Sequence, residues 1–361
     1  ATRVDENGLV NYAQVVSETE LVTNGGFANG GTSWITTPTG VTFSGGFANF
    51  TSGQDTYIIQ TFLTVGKTYK ISVDYNVTSI SDGYFGTNGT NINNVLLAGL
   101  TGSGTLTANI IAGQTSLIFR SSTFNGTITN VSVKEIDRDN VPRIDYTGGG
   151  CPHILAEPQR TNNLTASQDL TDLFWNSIST ETIVASTVLS PDGTTFGFKA
   201  IPSASSGNTT HYVDYDFGFL SIPIGELTYS VFAKPFGYTN FQLATSSGMN
   251  SRYQNFELTG DGVLGAGDVN GAKIEKIGDW YRCSITETST STSPRVLNLG
   301  LPSSGLGRNP SFTANGTDGV LLWGGQMEEG SYATSYIPNL STTLGSTVTR
   351  NQDIFTRDGI G

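Results

Sequence analysis

The chain has 361 residues, room for two or three ordinary domains. Charged residues amount to only 13%, about half the quarter usual in soluble proteins, with 45 glycines and abundant Ser, Thr and Asn in their place. That excludes a coiled coil, a helical repeat array and a charged disordered tail, while a net charge of −12 repels nucleic-acid phosphates and no run comes near the roughly 18 apolar residues of a membrane helix, so neither nucleic acid nor membrane insertion is expected.

The chain opens at Ala1 without Met and without a charged and then apolar leader, which reads as a fragment or a processed product. From there period-two alternation dominates. Tyr57 to Phe62 is the first clear run, and Tyr69-Lys70-Ile71-Ser72-Val73-Asp74-Tyr75-Asn76-Val77 alternates apolar and polar residues, the pattern of a half-buried antiparallel strand. Ser116 to Phe119, Thr127 to Val133, Leu227 to Ala233, Lys273 to Ile277, Tyr281 to Ile285 and Val320 to Trp323 follow, separated by Gly, Asn, Ser and Pro clusters. Strong helical periodicity is absent. The expected fold is all-β: two antiparallel β-sandwich (jelly-roll) domains joined by an extended connector.

A weak internal repeat divides the chain. Gly66-Lys67-Thr68-Tyr69-Lys70-Ile71-Ser72-Val73 is echoed by Leu227-Thr228-Tyr229-Ser230-Val231-Phe232-Ala233, a tryptophan stands ahead of each (Trp34, Trp175), and each half closes on a β-run ending in acid, at Glu135 and at Glu329. The expected bounds are an N-terminal segment 1–17, a first sandwich 18–136, a connector 137–158, a second sandwich 159–345 and a tail 346–361. Within the connector, Gly148-Gly149-Gly150-Cys151-Pro152 cannot continue a regular strand. The two cysteines, Cys151 and Cys283, are expected as buried thiols, with pairing left open.

Several blocks resemble tailed-bacteriophage virion proteins of tail and head fibres. They are Ala1-Thr2-Arg3-Val4-Asp5-Glu6-Asn7-Gly8-Leu9-Val10, Asn140-Val141-Pro142-Arg143-Ile144-Asp145-Tyr146, Leu155-Ala156-Glu157-Pro158-Gln159-Arg160-Thr161-Asn162 and Thr334-Ser335-Tyr336-Ile337-Pro338. In that family the first blocks usually lie close together, whereas here about 125 residues intervene. The intervening piece, from Glu20-Leu21-Val22-Thr23-Asn24-Gly25-Gly26-Phe27 to Asn130-Val131-Ser132-Val133, resembles jelly-roll carbohydrate-binding modules and looks like an insertion. The resemblance implies a virion-surface location, other virion subunits as partners and a homo-oligomer, with a trimer favoured. Val348-Thr349-Arg350-Asn351-Gln352-Asp353 resembles the lead into a further lectin-like domain. Modules of the resembled kind often hold a structural calcium. Ile128-Thr129-Asn130-Val131-Ser132 lacks the expected acid, which argues against a cofactor and leaves Glu20 and Glu135 as the candidate metal ligands.

Catalysis finds little support. With His153 and His211 as the only histidines, zinc helices and three-His sites are excluded, and no nucleophile elbow is present. Glu157, Asp214 and Asp216 are the carboxylates open to a glycosidase reading, although Asp214 and Asp216 simply share one strand face. Binding is better supported, because a sugar needs exposed aromatic rings beside Asn, Gln, Asp or Arg. Trp34, Phe43, Tyr57, Tyr84 and Phe85, with Gln54, Asn88 and Asn91, form the candidate set in the first half; Tyr84 and Phe85 are expected at a loop tip between Asp82-Gly83 and Gly86. In the second half Tyr212, Tyr215, Phe217 and Phe219 are expected on one sheet face, with Phe236, Tyr238 and Phe241 beside Gly237. The glycan-binding selection is Trp34, Tyr84, Phe85, Asn88, Asn91 and Tyr238. The expected function is non-enzymatic binding of host-surface or environmental glycans by a virion protein. The alternatives are a purely structural decoration protein and the binding module of a secreted polysaccharide-degrading enzyme.

Overall fold

The structure, a computed structural model, describes residues 2–354 except 38, 52, 54, 88–94, 98, 139–140, 148–150, 179–181, 194, 206, 218–221, 247–248, 293–295 and 303–306. It divides into two compact units: an inserted unit, Gln14–Val141, and a host unit made of Ala1–Ala13 together with Pro142–Gly361. Both are all-β, every strand pairing is antiparallel, and no helix occurs among the described residues.

In the inserted unit one sheet runs in the order Val95–Leu96, Tyr84–Thr87, Ser116–Ser121, Thr56–Thr61, Ile35–Thr36. The other runs Gly102–Ile111, Thr68–Ser79, Asn125–Asp137, Phe47–Phe50, Val41–Ser44, with Val15–Val16 also on Asn125–Asp137. Alternation sets the faces: Tyr69, Ile71, Val73 and Val77 of Thr68–Ser79 are buried and join Phe50, Phe85, Phe119 and Val133 in one core, while Lys70 points to water.

The host unit repeats this strand order with one further strand at the edge of each sheet. Its first sheet runs Trp175–Ile178, Tyr212–Asp216, Val296–Gly300, Asn240–Thr245, Tyr253–Glu257, Val263–Gly267. Its second runs Thr182–Leu189, Phe196–Ile201, Gly319–Glu329, Gly225–Phe236, Trp280–Ser289, Gly271–Ile277. The runs Leu227 to Ala233 and Val320 to Trp323 are apolar on both faces because both are covered. Leu227, Tyr229, Val231 and Leu322 face the sandwich core, whereas Phe232, Leu321 and Trp323 pack with Val4, Val10 and Tyr336 in a third layer.

That third layer changes the expected boundaries. Ala1–Ala13 belongs to the host unit and Gln14 onward to the inserted one, so the segment 1–17 is split. The connector 137–158 is split as well: Asp137 ends a strand, and Arg143 and Asp145 are buried within the host unit, where Asp145 Oδ1 accepts from the Val4 amide at 2.8 Å. Residues 148–150 lie outside the described residues. The tail departs too, since Val348–Arg350 pairs with Arg160–Asn162.

The blocks that carry the virion resemblance meet here. Arg143 Nη1 donates to Glu157 Oε2 (2.7 Å), Ser335 Oγ (2.7 Å) and Thr2 O (3.2 Å), and the rest of the guanidinium pairs with Asp353. Arg350 Nη1 reaches the same Glu157 oxygen at 2.8 Å, and its Nη2 donates to Pro158 O at 2.7 Å. Both arginine side chains are almost sealed, at 3% and 4% exposure. Burial pushes the Glu157 carboxyl up, but Arg350, the Ser335 hydroxyl and Arg143 outweigh it and hold the group below the ordinary carboxylate value. Glu157 is a structural anion between two cations, which removes it from the acid–base candidates.

Candidate functional site

The two units agree down to single backbone bonds, and this agreement aligns their surfaces. Asn24 (φ 57°) and Ala166 (φ 49°) take left-handed conformations, and their carbonyls accept the indole N–H of Trp34 (3.1 Å) and Trp175 (3.2 Å). The closing strands carry matching bulges at Asn130 (φ 50°) and Gly324 (φ 68°). The next amides, of Val131 and Gly325, donate to Gly25 O (3.0 Å) and Ser167 O (2.9 Å). Glu20 Oε1 accepts from the amides of Val22 (3.0 Å) and Val133 (2.8 Å), just as Asn162 Oδ1 accepts from those of Leu164 (3.0 Å) and Met327 (3.1 Å). The Thr23 amide donates to Gln60 (3.1 Å), and the Thr165 amide to the Tyr215 hydroxyl (2.8 Å).

This corrects the metal candidates. Glu20 is a bracket that pins the closing strand, doing what a neutral Asn162 does in the host unit, and Glu135 pairs with Lys67 at 2.5 Å on the surface. Among the described residues no three His, Cys, Asp or Glu side chains gather where a cation could be held.

Matching Gln60 to Tyr215 aligns Tyr57 with Tyr212, and the strand registers carry the match across the sheet. In the inserted unit Tyr84 and Tyr57 both lie directly opposite Arg120, one on each neighbouring strand. Directly opposed residues share a face, so the three side chains form a row Tyr84–Arg120–Tyr57 on the side away from the core, with the tyrosines half-buried and Arg120 43% exposed. Asp55 grips Arg120 with both oxygens, at 2.8 Å to Nε and more closely to Nη2. That contact holds the Asp55 carboxyl below its ordinary value, and Asp55 with the Tyr84 hydroxyl raises Arg120 above its own. The neighbouring row is Gly86–Ile118–Ile59–Ile35, its outermost side chain 63% exposed.

In the host unit the same two rows read Gln242–Gly300–Tyr212 and Ala244–Asn298–Asp214. Tyr212 and Tyr215 are three residues apart, so period two already places them on opposite faces; the expected shared face is corrected, with Tyr215 and Phe217 in the core and Tyr212 and Asp214 outward. Phe219 lies outside the described residues.

The other candidates fall as follows. Trp34 and Phe85 are sealed, at 8% and 1% exposure, Trp34 against Phe27 and Phe85 against Phe119, which withdraws both from the sugar-facing set. Tyr84 opens a strand and is not a loop tip, because its backbone pairs with Arg120. Asn88, Asn91 and Gln54 lie outside the described residues. Tyr238 belongs to neither row: its ring meets Phe312 edge-on at 5.8 Å and its hydroxyl is tied to the Asn315 backbone. Phe43 packs on Phe27, and Phe241 is core. His211 is buried against Phe312 and His153 is exposed beside Asp145. Cys283 is buried as expected, whereas Cys151 is exposed, and both are free thiols. A hollow of about 730 Å³ on the host unit is lined by Asp5, Glu6, Tyr146, Asp261, Glu275 and Lys276, but the Asp5 carboxylate is already committed to Asn7, Leu9 and Asn11. Sequence reasoning missed Arg120, whose signal was a lone cation ending the apolar run Leu117-Ile118-Phe119.

No family model and no curated protein matches this sequence. Among solved structures, the chain is similar to the N-terminal CBM22-1-CBM22-2 tandem domain of Xyn10C from Paenibacillus barcinonensis, at 12% identity and a TM-score of 0.27, covering 87% of this chain and 98% of that one. It is also similar to the M60 catalytic domain with the CBM51-1 and CBM51-2 domains of ZmpB from Clostridium perfringens, at 9% identity and a TM-score of 0.18, covering 76% of this chain and 34% of that one. At such scores no residue-level correspondence carries over.

Proposed function

We propose that the protein is a non-catalytic saccharide-binding protein and that the Tyr84–Arg120–Tyr57 row of the inserted unit is its binding surface. The observation that carries this reading is the register itself: two half-exposed phenol rings flank one fixed guanidinium on the outward face of the sheet. At the usual strand spacing the rings stand roughly 9–10 Å apart, a span that lets each stack on the C–H face of a pyranose in one short oligosaccharide. Arg120, held by Asp55, donates to hydroxyls between them without reorganising. The charges of Arg120 and Asp55 cancel locally, which suits a neutral sugar. Non-catalytic action is favoured by the fates of Glu157, neutralised by two arginines, and of His211, packed on Phe312.

The test is a glycan array probed with the labelled chain beside Tyr84→Ala and Tyr57→Ala. Each variant loses at least tenfold in apparent affinity for the glycans the parent holds, equivalent to about 1.4 kcal/mol. Undiminished binding by both variants removes the row from the site.

The finer setting, a tail- or head-fibre protein on a virion surface that assembles as a trimer, is also our proposal. It is supported by the quoted sequence blocks and by the way Ala1–Ala13 and the chain from Pro142 share one compact unit around an insertion. A site of millimolar strength is worth about 4 kcal/mol, and presenting several copies raises avidity a hundredfold or more. Light scattering of the purified chain checks the trimer, and mass spectrometry of purified particles checks the setting; a monomer absent from particles overturns both.

A further inference from the structure

We propose that the aligned face of the host unit is a second saccharide site of different chemistry, one that takes a single neutral sugar residue through hydrogen bonds to Asp214, Asn298 and Arg308 with Tyr212 as its only ring. The proposal rests on the saccharide reading of the inserted unit, because the alignment is what marks this face.

The substitutions along the rows are coordinated. Where the inserted unit has Arg120, the host has Gly300, and a Cβ there would lie 2.9 Å from Gln242 Cβ and 3.1 Å from Asn309 Oδ1. No side chain fits, because residues 307–309 cross the sheet at this point. Gln242 donates to Gly307 O (2.8 Å) and accepts from the Asn309 amide (2.8 Å), and Asn255 donates to Gly307 O (3.2 Å). Gln242 and Asn255 are thereby fully buried although they lie on the outward face.

The guanidinium lost from the strand returns on this crossing segment. Arg308 is exposed, and its Nη2 donates to Thr245 O (2.8 Å) and Asn298 Oδ1 (3.3 Å), while Asn298 Nδ2 donates to Asp214 Oδ1. Tyr212 shares this field: burial and then Asp214 push its phenol above the ordinary value against the pull of Arg308. Ile59 and Ile118 of the inserted unit thus correspond to Asp214 and Asn298, which exchanges an apolar strip for an acceptor and an amide. Asn309 Oδ1 is buried over Gly300, and no donor reaches it among the described residues.

On this face Gln242, Asn255 and Asn298 are buried, Tyr212 and Asp214 are partly exposed and Arg308 is exposed, so the accessible groups among the described residues are one ring, one carboxylate and one guanidinium. A single partly exposed ring among the described residues of this face offers stacking to one sugar ring rather than to an extended chain. A carboxylate at its centre, in a chain of net charge −12, selects against anionic sugars.

The experiment is an array printed with neutral mono- and disaccharides, neutral polysaccharides, and sialic- and uronic-acid glycans. It is probed with the full chain, a Tyr57→Ala/Tyr84→Ala double variant, Arg308→Ala and Asp214→Asn, each checked by thermal melting. The double variant is expected to keep a set of short neutral glycans that Arg308→Ala and Asp214→Asn each weaken at least tenfold. The two single changes act independently, so one that misfolds leaves the other to decide. If the double variant is blank where the parent binds, the second site is overturned and the first stands. If the double variant equals the parent while Arg308→Ala loses binding, the first site is overturned and the second stands. A blank parent overturns both, and acidic glycans held through Arg308 overturn the neutral-sugar assignment.

Discussion

The inserted and host units place the same bonds at the same points of one strand order and yet present different surfaces. Trp34 and Trp175, Asn130 and Gly324, and Glu20 and Asn162 are interchangeable in role because each solves a backbone problem, namely a carbonyl to be met, a bulge to be turned or an amide to be capped. Arg120 and Gly300, or Ile59 and Asp214, differ because the outward face lies outside the sandwich core and answers only to what covers it. A repeated frame with divergent faces therefore separates residues that hold the fold from residues that the fold leaves free for another role.

The sharpest way to break the comparison is to remove its anchors. Trp34→Ala and Trp175→Ala should each cost about 3–5 kcal/mol, from lost burial plus the cavity left behind, read as a fall in denaturant midpoint. Unequal losses would show that the two tryptophans are not equivalent.

Acid should act on the host unit first. Glu157 and Asp353 have folded values below their unfolded ones, Asp353 because Arg143 and the Glu157 amide outweigh its burial. Their contribution is thus fully present above the unfolded values of about 4.3 and 3.9 and is lost as pH falls through the lower folded values. Glu157→Gln should cost about 3–5 kcal/mol at neutral pH, since it strips a buried anion from two buried arginines, and should flatten the acid limb of the stability profile. The inserted unit's Asp82, held low chiefly by the Ser122 hydroxyl, and Asp55, held low by Arg120, are depressed too, but both are exposed and screened, so that unit's acid dependence should be the smaller.

A smaller effect sharpens the bulge equivalence. Gly324→Ala should cost about 1–2 kcal/mol, because its left-handed backbone disfavours a Cβ and one would sit 3.0 Å from the Phe232 ring, while Asn130→Gly should change stability little. Equal outcomes in thermal melts would refute the match.

The smallest perturbation is a label. In the native protein a thiol reagent should modify one cysteine per chain, Cys151, because Cys283 is fully buried and burial pushes its thiol well above the ordinary value. Since Cys283 lies in the host core, its labelling as denaturant rises at a fixed mildly alkaline pH reports when that unit opens.

Much of this was legible in the residues. Alternation at Tyr69 to Val77 fixed which side chains share a face, and every strand run expected from Tyr57 to Trp323 coincides with a strand. The site was less legible. Tyr84 stood out as an aromatic among Gly and Asn, but Arg120 and Tyr57 joined it only through pairing between strands distant in the chain.

Local pattern alone determined the all-β character and the twofold repetition, because period two and turn chemistry are properties of neighbouring residues. Tertiary structure decided what covers each face. Phe232 and Trp323 are buried on the outer side because Val4, Val10 and Tyr336 pack there, Gln242 is buried because residues 307–309 cross it, and Trp34 is sealed by Phe27. Exposure depends on contacts between segments far apart in sequence, which no window of alternating residues contains.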